Sequence, residues 1–214
     1  MVRLLSQNTL SVDAFFIEYL ELMSSKICSA DARELEKCAE MLLLASRSGK
    51  KVIIYGNGGS AAVAGHVAVD LSKNAHVRSV NFNEANLITC LANDYGYDAW
   101  LSKAIEIYSD AEDLLILISS SGKSKNMLNA AEKAREKGLK VVTFTGFSAD
   151  NPLRKLGDLT FWVNSSGYNI VEMTHSIWLL AIVDFLIGSI EYSAQTQLSI
   201  SPEQLSDTAA LASR

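Results

Sequence analysis

The segment from Ser119 to Ser124 concentrates four hydroxyl groups in six residues, SSSGKS. It follows an apolar run and precedes a stretch with helical spacing. A serine hydroxyl donates a hydrogen bond without carrying charge, and the first amides of a helix have no partner within that helix. Helix capping by Ser121 or Ser124 would explain one serine but not four. The pattern therefore predicts a site for a phosphate monoester, bound by Ser119, Ser120, Ser121 and Ser124.

A second candidate loop, Gly56 to Ser60 (GNGGS), lies between another apolar run and a segment rich in small residues. Glycines let the backbone turn tightly and bring N–H groups close to a ligand. The loop is neither a dinucleotide fingerprint nor a Walker A loop. Asn57, Gly58, Gly59 and Ser60 are therefore candidates for binding a ligand, and an ordinary strand-to-helix turn is the alternative.

Apolar periodicity predicts the elements that position both loops. Short apolar runs rich in β-branched residues predict buried strands at 50–56, 79–82, 113–120, 140–146 and 159–164. Helical spacing predicts helices at 11–27, 30–48, 57–74, 123–138 and 168–190. Strands that alternate with helices favour an α/β fold, a three-layer sandwich around a doubly wound parallel sheet. Both loops then lie at the carboxyl ends of strands, where such sheets bind ligands.

Bulk composition narrows the class of protein further. A chain of 214 residues suits one α/β domain, predicted at 11–193, between flexible segments at 1–10 and 194–214. The net charge is -5 and no run of Lys or Arg occurs, so a nucleic-acid partner is not expected. No segment approaches the roughly 20 apolar residues of a membrane span. The three cysteines lack metal-type spacing and indicate reduced thiols in a cytoplasmic protein.

Three motifs in order, GNGGS (56–60), NDYGY (93–97) and SSSGKS (119–124), resemble the SIS family of phosphosugar-binding proteins. Within that family the chain is most similar to the phosphoheptose isomerase branch, over about residues 10–193. The resemblance implies a flavodoxin-like sandwich with extra N-terminal helices, and a homotetramer. It also implies a phosphate held by Ser119, Ser121 and Ser124, with sugar contacts near Asn57, Ser60 and Asp94.

The resemblance further implies catalytic positions on two helices. Phosphoheptose isomerases carry a His and, four residues later, a Glu after GNGGS; His66 and Asp70 stand there. Their last helix carries a Gln, a His and the catalytic His, where this chain has Glu172, His175 and Leu180. Aldose–ketose interconversion moves a proton between C1 and C2 and needs a base. We expect His66 and Asp70 to carry the proton transfers, with Glu172 and His175 orienting the sugar.

The same four side chains are candidate metal ligands. If the last helix packs over the crevice, His66, Asp70, Glu172 and His175 converge, and two imidazoles with two carboxylates suit zinc. Some phosphoheptose isomerases carry zinc at this place. The alternative is that His175 packs at a subunit interface while Glu172 hydrogen-bonds a neighbour. We expect the reaction to require no cofactor. If a metal ion is bound at these four side chains, zinc is the candidate.

Two functions are consistent with these residues. The first is an aldose–ketose isomerase acting on a sugar phosphate such as sedoheptulose 7-phosphate. The second is a non-catalytic SIS protein, a phosphosugar sensor or an oligomeric adaptor similar to the initiator-associating SIS proteins, and Leu180 favours it. In either case the apolar leading helices, which include Phe15, Phe16 and Leu20, predict that the chains associate, because a monomer would expose them. The four-fold count of the expected homotetramer is implied by the resemblance alone.

Overall fold

The computed structural model describes residues 11–192, so the predicted flexible segments 1–10 and 194–214 lie outside the described residues. Five strands form one sheet: β1 (Val52–Gly56), β2 (Ser79–Val80), β3 (Leu114–Ser119), β4 (Lys140–Thr145) and β5 (Leu159–Trp162). Their order is β2-β1-β3-β4-β5, and every pairing is parallel. The predicted doubly wound parallel sheet is confirmed.

Seven α-helices accompany these strands within the described range. They are α1 (Val12–Ile27), α2 (Ala32–Arg47), α3 (Gly59–Lys73), α4 (Ala85–Tyr95), α5 (Trp100–Tyr108), α6 (Lys125–Glu136) and α7 (Tyr168–Ile187). A short 3-10 helix covers Leu153–Leu156. Helices α2, α3 and α7 pack on one face of the sheet, and α4, α5 and α6 pack on the other. The protein is therefore the predicted three-layer sandwich.

Alternating side chains of the strands supply both cores. In β1, Val52 and Ile54 join the α2–α3–α7 core, whereas Ile53 and Tyr55 join the α4–α5–α6 core. All five residues of β1 are buried, which explains why its sequence is a continuous apolar run. Both predicted loops leave the sheet at its carboxyl edge, because β1 and β3 are parallel neighbours with Gly56 opposite Ile118.

Several boundaries differ from the sequence predictions. Strand β2 has only two residues, and the helices α4 and α5 were not predicted. Asn93 lies inside α4 rather than in a turn, and the turn follows at Gly96, which has a φ of 83°. Asp31 is the N-cap of α2, since its carboxylate accepts from the Arg33 amide at 2.9 Å. Glu34, in the first turn of that helix, pairs with Lys37.

Helix α7 is the most apolar helix of the described chain. It is 20 residues long, and an 18-residue stretch of it has a mean hydropathy of 1.8, which is long and apolar enough to cross a membrane, but 56% of that stretch is buried inside the protein. Trp178 Nε1 donates to the Ile27 carbonyl at 2.8 Å and so fixes the end of α1 against α7. Contacts with α1, α2 and α3 identify α7 as a core helix.

Candidate active site

The serine-rich loop joins β3 to the start of α6. Gly122 turns the chain with a φ of 61°, and a β-carbon there would lie 2.0 Å from Asn151 Oδ1. Asn151 is buried beneath the loop and donates to Thr145 Oγ1 at 3.1 Å and to the Ser148 carbonyl at 2.9 Å. The position therefore requires glycine both for its backbone angle and for the space that Asn151 fills.

The hydroxyls of this loop are divided between the ligand side and the interior. Ser119 Oγ accepts from the Gly122 amide at 3.2 Å, and Ser121 Oγ accepts from the Lys123 amide at 3.3 Å. A hydroxyl that accepts from the backbone keeps its own proton to donate. Ser124 is the N-cap of α6 but makes no side-chain cap bond, so its hydroxyl is also available. These three serines can point donors at one anion.

Ser120 does not belong with them. Its hydroxyl is buried without a partner among the described residues, and its carbonyl accepts from the Gly146 amide at 3.0 Å. The structure therefore lends no support to the predicted contact between the Ser120 side chain and a substrate, because its hydroxyl has no exposed surface.

The GNGGS loop holds the start of α3 close to β1. A β-carbon at Gly56 would lie 2.6 Å from the Ser60 backbone, and Gly58 has a φ of 56°. Ser60 is almost fully buried in the first turn of α3. The loop is thus a tight strand-to-helix turn in which glycine is required at Gly56 and Gly58.

Glu172, in the first turns of α7, presents its carboxylate to this turn. A β-carbon at Gly59 would lie 2.2 Å from Glu172 Oε2 and 2.9 Å from Oε1, so the carboxylate occupies the space that glycine leaves free. Burial raises the pKa of Glu172 above its ordinary value of 4.5. Glu172 is not among the residues that line the cavity beside this turn, but it contacts Gly59, which directly follows the lining residue Gly58. A carboxylate with a raised pKa at such a helix start is suited to act as a general base.

A cavity of about 530 Å³ adjoins the same turn. Polar groups of Asn57, His66, Asn83 and Tyr97 line it together with the small residues of α3. Sequence reasoning identified Asn57, Gly58 and His66 but missed Tyr55, Asn83 and Tyr97. A tyrosine in an otherwise aliphatic buried strand, next to a glycine loop, was the available signal for Tyr55.

His66 and Asp70 form a pair on α3. His66 Nε2 lies 3.2 Å from Asp70 Oδ2, and Asn74 Nδ2 donates to Asp70 Oδ1 at 3.1 Å. At 1.5 Å per residue, His66 lies about 10 Å and Asp70 about 16 Å along the helix from Gly59. Only His66 of the two lines the cavity. Asp70 is therefore placed to orient His66.

His175 lies in the core. It is 0% exposed, its Nε2 lies 3.0 Å from the Thr145 carbonyl, and its ring packs edge-on against Phe144. Burial lowers the pKa of His175 to about 4, although the Thr145 carbonyl opposes the shift. The imidazole is therefore neutral at pH 7 and cannot reach a substrate, so the predicted role for His175 in orienting the sugar is wrong.

The four predicted metal ligands do not converge. Within residues 11–192 no group of three or more His, Cys, Asp and Glu side chains is arranged to hold a metal ion. His175 faces the core, Glu172 faces Gly59, and only His66 and Asp70 are paired. This donor arrangement does not fit a zinc ion, and we assign no catalytic step to one.

Two other sequence-predicted positions lie away from the crevice. Asp94 is exposed on α4, where its carboxylate accepts from Asn93 Nδ2 at 3.0 Å, and it does not line the cavity. Leu180, at the position of the family's catalytic histidine, packs against the α2–α3–α7 core. Neither residue contributes a polar group to the cavity.

Comparisons with known proteins identify the family of this chain. The SIS domain family matches residues 15–146, more than half of the 214 residues. The phosphoheptose isomerase of Fusobacterium nucleatum subsp. nucleatum is 32% identical over 159 residues, which are 72% of this chain and 81% of that protein. The phosphoheptose isomerase of a Bradyrhizobium strain is 38% identical over 116 residues, 51% of this chain and 59% of that relative's own length.

A solved structure also shows similarity to a phosphoheptose isomerase. The phosphoheptose isomerase of Neisseria gonorrhoeae superposes with a TM-score of 0.74 at 26% identity, covering 81% of this chain and 96% of that one. Fold and relatives together define a class of α/β sandwich proteins built on one parallel sheet. The chain belongs to the SIS domain family, in its phosphoheptose isomerase-like branch.

Proposed function

We propose that this protein interconverts the aldose and ketose forms of a phosphorylated sugar, with Glu172 as the base. The observation that carries the proposal is the Glu172 carboxylate seated on Gly59, at the start of the helix that follows β1, while the open start of α6 follows the neighbouring strand β3. The strands that lead to these two helix starts are neighbours, about 5 Å apart. One small ligand can therefore contact both.

The phosphate end of the substrate binds at α6. The hydroxyls of Ser119, Ser121 and Ser124 donate to its oxygens, together with the first backbone amides of the helix. Hydrogen bonds to a charged group are worth about 1.5–3 kcal/mol each. The relatives' names support a sugar phosphate substrate, and sedoheptulose 7-phosphate is the first compound to test.

Proton transfer takes place at the other end of the sugar. Glu172 removes the proton from the carbon next to the carbonyl and returns it to the neighbouring carbon, so that an enediolate links the two forms. His66, which lines the cavity, moves the proton between the two oxygens, and Asp70 orients its ring. This assignment makes Glu172 the base in place of the pair His66 and Asp70, and it does not need a histidine at position 180.

Hydrogen exchange tests the proposal directly. The full chain is incubated in heavy water with five- to seven-carbon ketose and aldose phosphates, and NMR follows deuterium at C1 and C2. We expect exchange and interconversion with at least one phosphate, and neither with the matching sugars that lack phosphate. Binding of a sugar phosphate without any exchange would contradict the isomerase and favour a phosphosugar sensor or adaptor.

A further inference from the structure

A buried amide pair joins the two loops of the site. Asn126, the second residue of α6, is 2% exposed. Asn57 Nδ2 donates to Asn126 Oδ1 at 3.1 Å, and Asn126 Nδ2 donates back to Asn57 Oδ1 at 3.0 Å. The two carboxamides therefore make a reciprocal pair between the GNGGS loop and the phosphate-binding helix.

Asn57 is a junction between more than two segments. Its Oδ1 also accepts from Tyr97 Oη at 3.2 Å and lies 3.4 Å from Tyr55 Oη. A carbonyl oxygen has two lone pairs, so Asn57 Oδ1 has no capacity left to accept from a sugar hydroxyl. This side chain therefore holds the site together rather than serving mainly as a substrate acceptor.

The position of Asn126 in α6 makes the pair relevant to the ligand. The amides of Lys125 and Asn126 are the first two of the helix, and neither has a backbone partner in the described part of the chain. These amides are free to bind an anion only if the first turn of α6 is held in place. Because Asn126 is buried and bonded at both polar atoms, it fixes that turn against the loop after β1.

We infer that Asn126 is a positioning residue for phosphate recognition, which sets the first turn of α6 against Asn57. The inference rests on the proposed function and names a residue that has no contact with the reacting carbons. Breaking the pair leaves one carboxamide buried and unpaired, which lets the helix start shift. Such a shift weakens phosphate binding while the chemistry at Glu172 continues.

The test compares Asn126→Leu with Asn129→Leu. Asn129 is the matched control, since it lies on the same helix and makes a single bond, from Nδ2 to the Asp98 carbonyl at 2.8 Å. We expect Asn126→Leu to raise the Kd for inorganic phosphate and the KM for the sugar phosphate about tenfold, with kcat within about twofold of the wild type. Asn129→Leu should leave both binding constants unchanged.

A second set of variants checks that the pair acts as a unit. Asn57→Ala breaks it from the loop side and serves if Asn126→Leu fails to fold. The double variant Asn57→Ala/Asn126→Leu should bind phosphate no more weakly than the weaker-binding of the two single variants. Unchanged phosphate affinity in a folded Asn126→Leu protein, or fully additive losses, would overturn the positioning role. If the wild type binds phosphate but isomerises no sugar phosphate, and Asn126→Leu still weakens binding, the proposed function fails while the positioning role stands.

Discussion

Helices α3 and α6 begin at the same edge of the sheet, directly after the neighbouring strands β1 and β3, yet their first turns differ. The start of α3 is covered by a carboxylate of the protein itself, Glu172, which lies against Gly59. The start of α6 has three serines with protons to donate and two amides without backbone partners in the described chain. One helix start is therefore occupied by an anion, and the other is open to one.

Because their first turns differ in this way, α3 and α6 are expected to have different functions in the site. A helix N-terminus attracts negative charge, so either turn by itself would be a candidate for the phosphate. A phosphate at α3 would meet the charge of Glu172, whereas at α6 it meets only donors. The comparison therefore favours α6 as the site of the anion and supports the proposed role of the α3 turn in positioning a base.

The largest expected effect follows from removing the anion at α3. Glu172→Gln should lower kcat by about 100- to 10,000-fold, the usual contribution of a general base, while phosphate affinity stays the same or rises. Isomerisation assays and calorimetry measure the two effects. Glu132→Gln, on the exposed side of α6, is the control and should change neither. Near-normal turnover in Glu172→Gln would remove Glu172 from the chemistry.

The same variant should be more stable than the wild type at pH 7. The raised pKa of Glu172 means that the folded protein holds this proton more tightly than the unfolded chain, so the ionised group costs stability above its ordinary pKa of 4.5. The gain should disappear below that pH, where the carboxyl is protonated in both states. Urea unfolding at pH 7 and pH 4 tests the sign.

The second effect follows from removing the donors at α6. The variant Ser119→Ala/Ser121→Ala/Ser124→Ala should weaken sugar phosphate binding by about 100-fold or more, because three hydrogen bonds to a charged group are lost. Ser120→Ala is the matched control, since its hydroxyl is buried away from the ligand side. An equal loss of affinity in Ser120→Ala by calorimetry would show that the division of hydroxyls described here is incorrect.

The third effect concerns His175, one turn beyond Glu172 on α7. The pKa of His175 is lowered from 6.5 to about 4, so the unfolded chain binds this proton more tightly and stability falls as the pH falls through that window. The loss amounts to roughly 3 kcal/mol. His175→Gln keeps a donor for the Thr145 carbonyl and should reduce this acid sensitivity by a similar amount. Unfolding free energies from pH 7 to 4 measure it, and exposed His76→Asn should leave the acid sensitivity unchanged.

Substitutions of the exposed apolar residues of α1 are expected to have the smallest effect on the site. Phe16 and Leu20 are 59% and 64% exposed on this helix, so we expect the chains to associate through it. The double variant Phe16→Glu/Leu20→Glu should lower the mass measured by light scattering, and Glu21→Gln should not. If both helix starts act within one chain, phosphate affinity should remain unchanged when the assembly dissociates. A loss of affinity on dissociation would mean that a second copy completes the site.

The sequence by itself determined the architecture and the two loops. The continuous apolar runs at β1 and β3, each followed by glycine and small polar residues, predicted buried parallel strands, and the turns after them were the candidate ligand-binding loops. Helices α4 and α5 were not predicted, because the turn residues between them, around Gly96, made the whole segment resemble a loop. Exposed faces of short helices carry little periodic signal, so these elements depend on their packing against the sheet.

Only the tertiary structure decided what the side chains at the site do. Glu172 and His175 are three residues apart on one helix, and spacing alone predicts that they face the same way. The packing of α7 beside α3 on the same face of the sheet directs the first to Gly59 and the second into the core beside Phe144. The pairing of Asn57 with Asn126 spans 69 positions, and no local pattern encodes it. Residue types and local periodicity follow from the sequence, whereas burial and long-range partners exist only once the layers have packed.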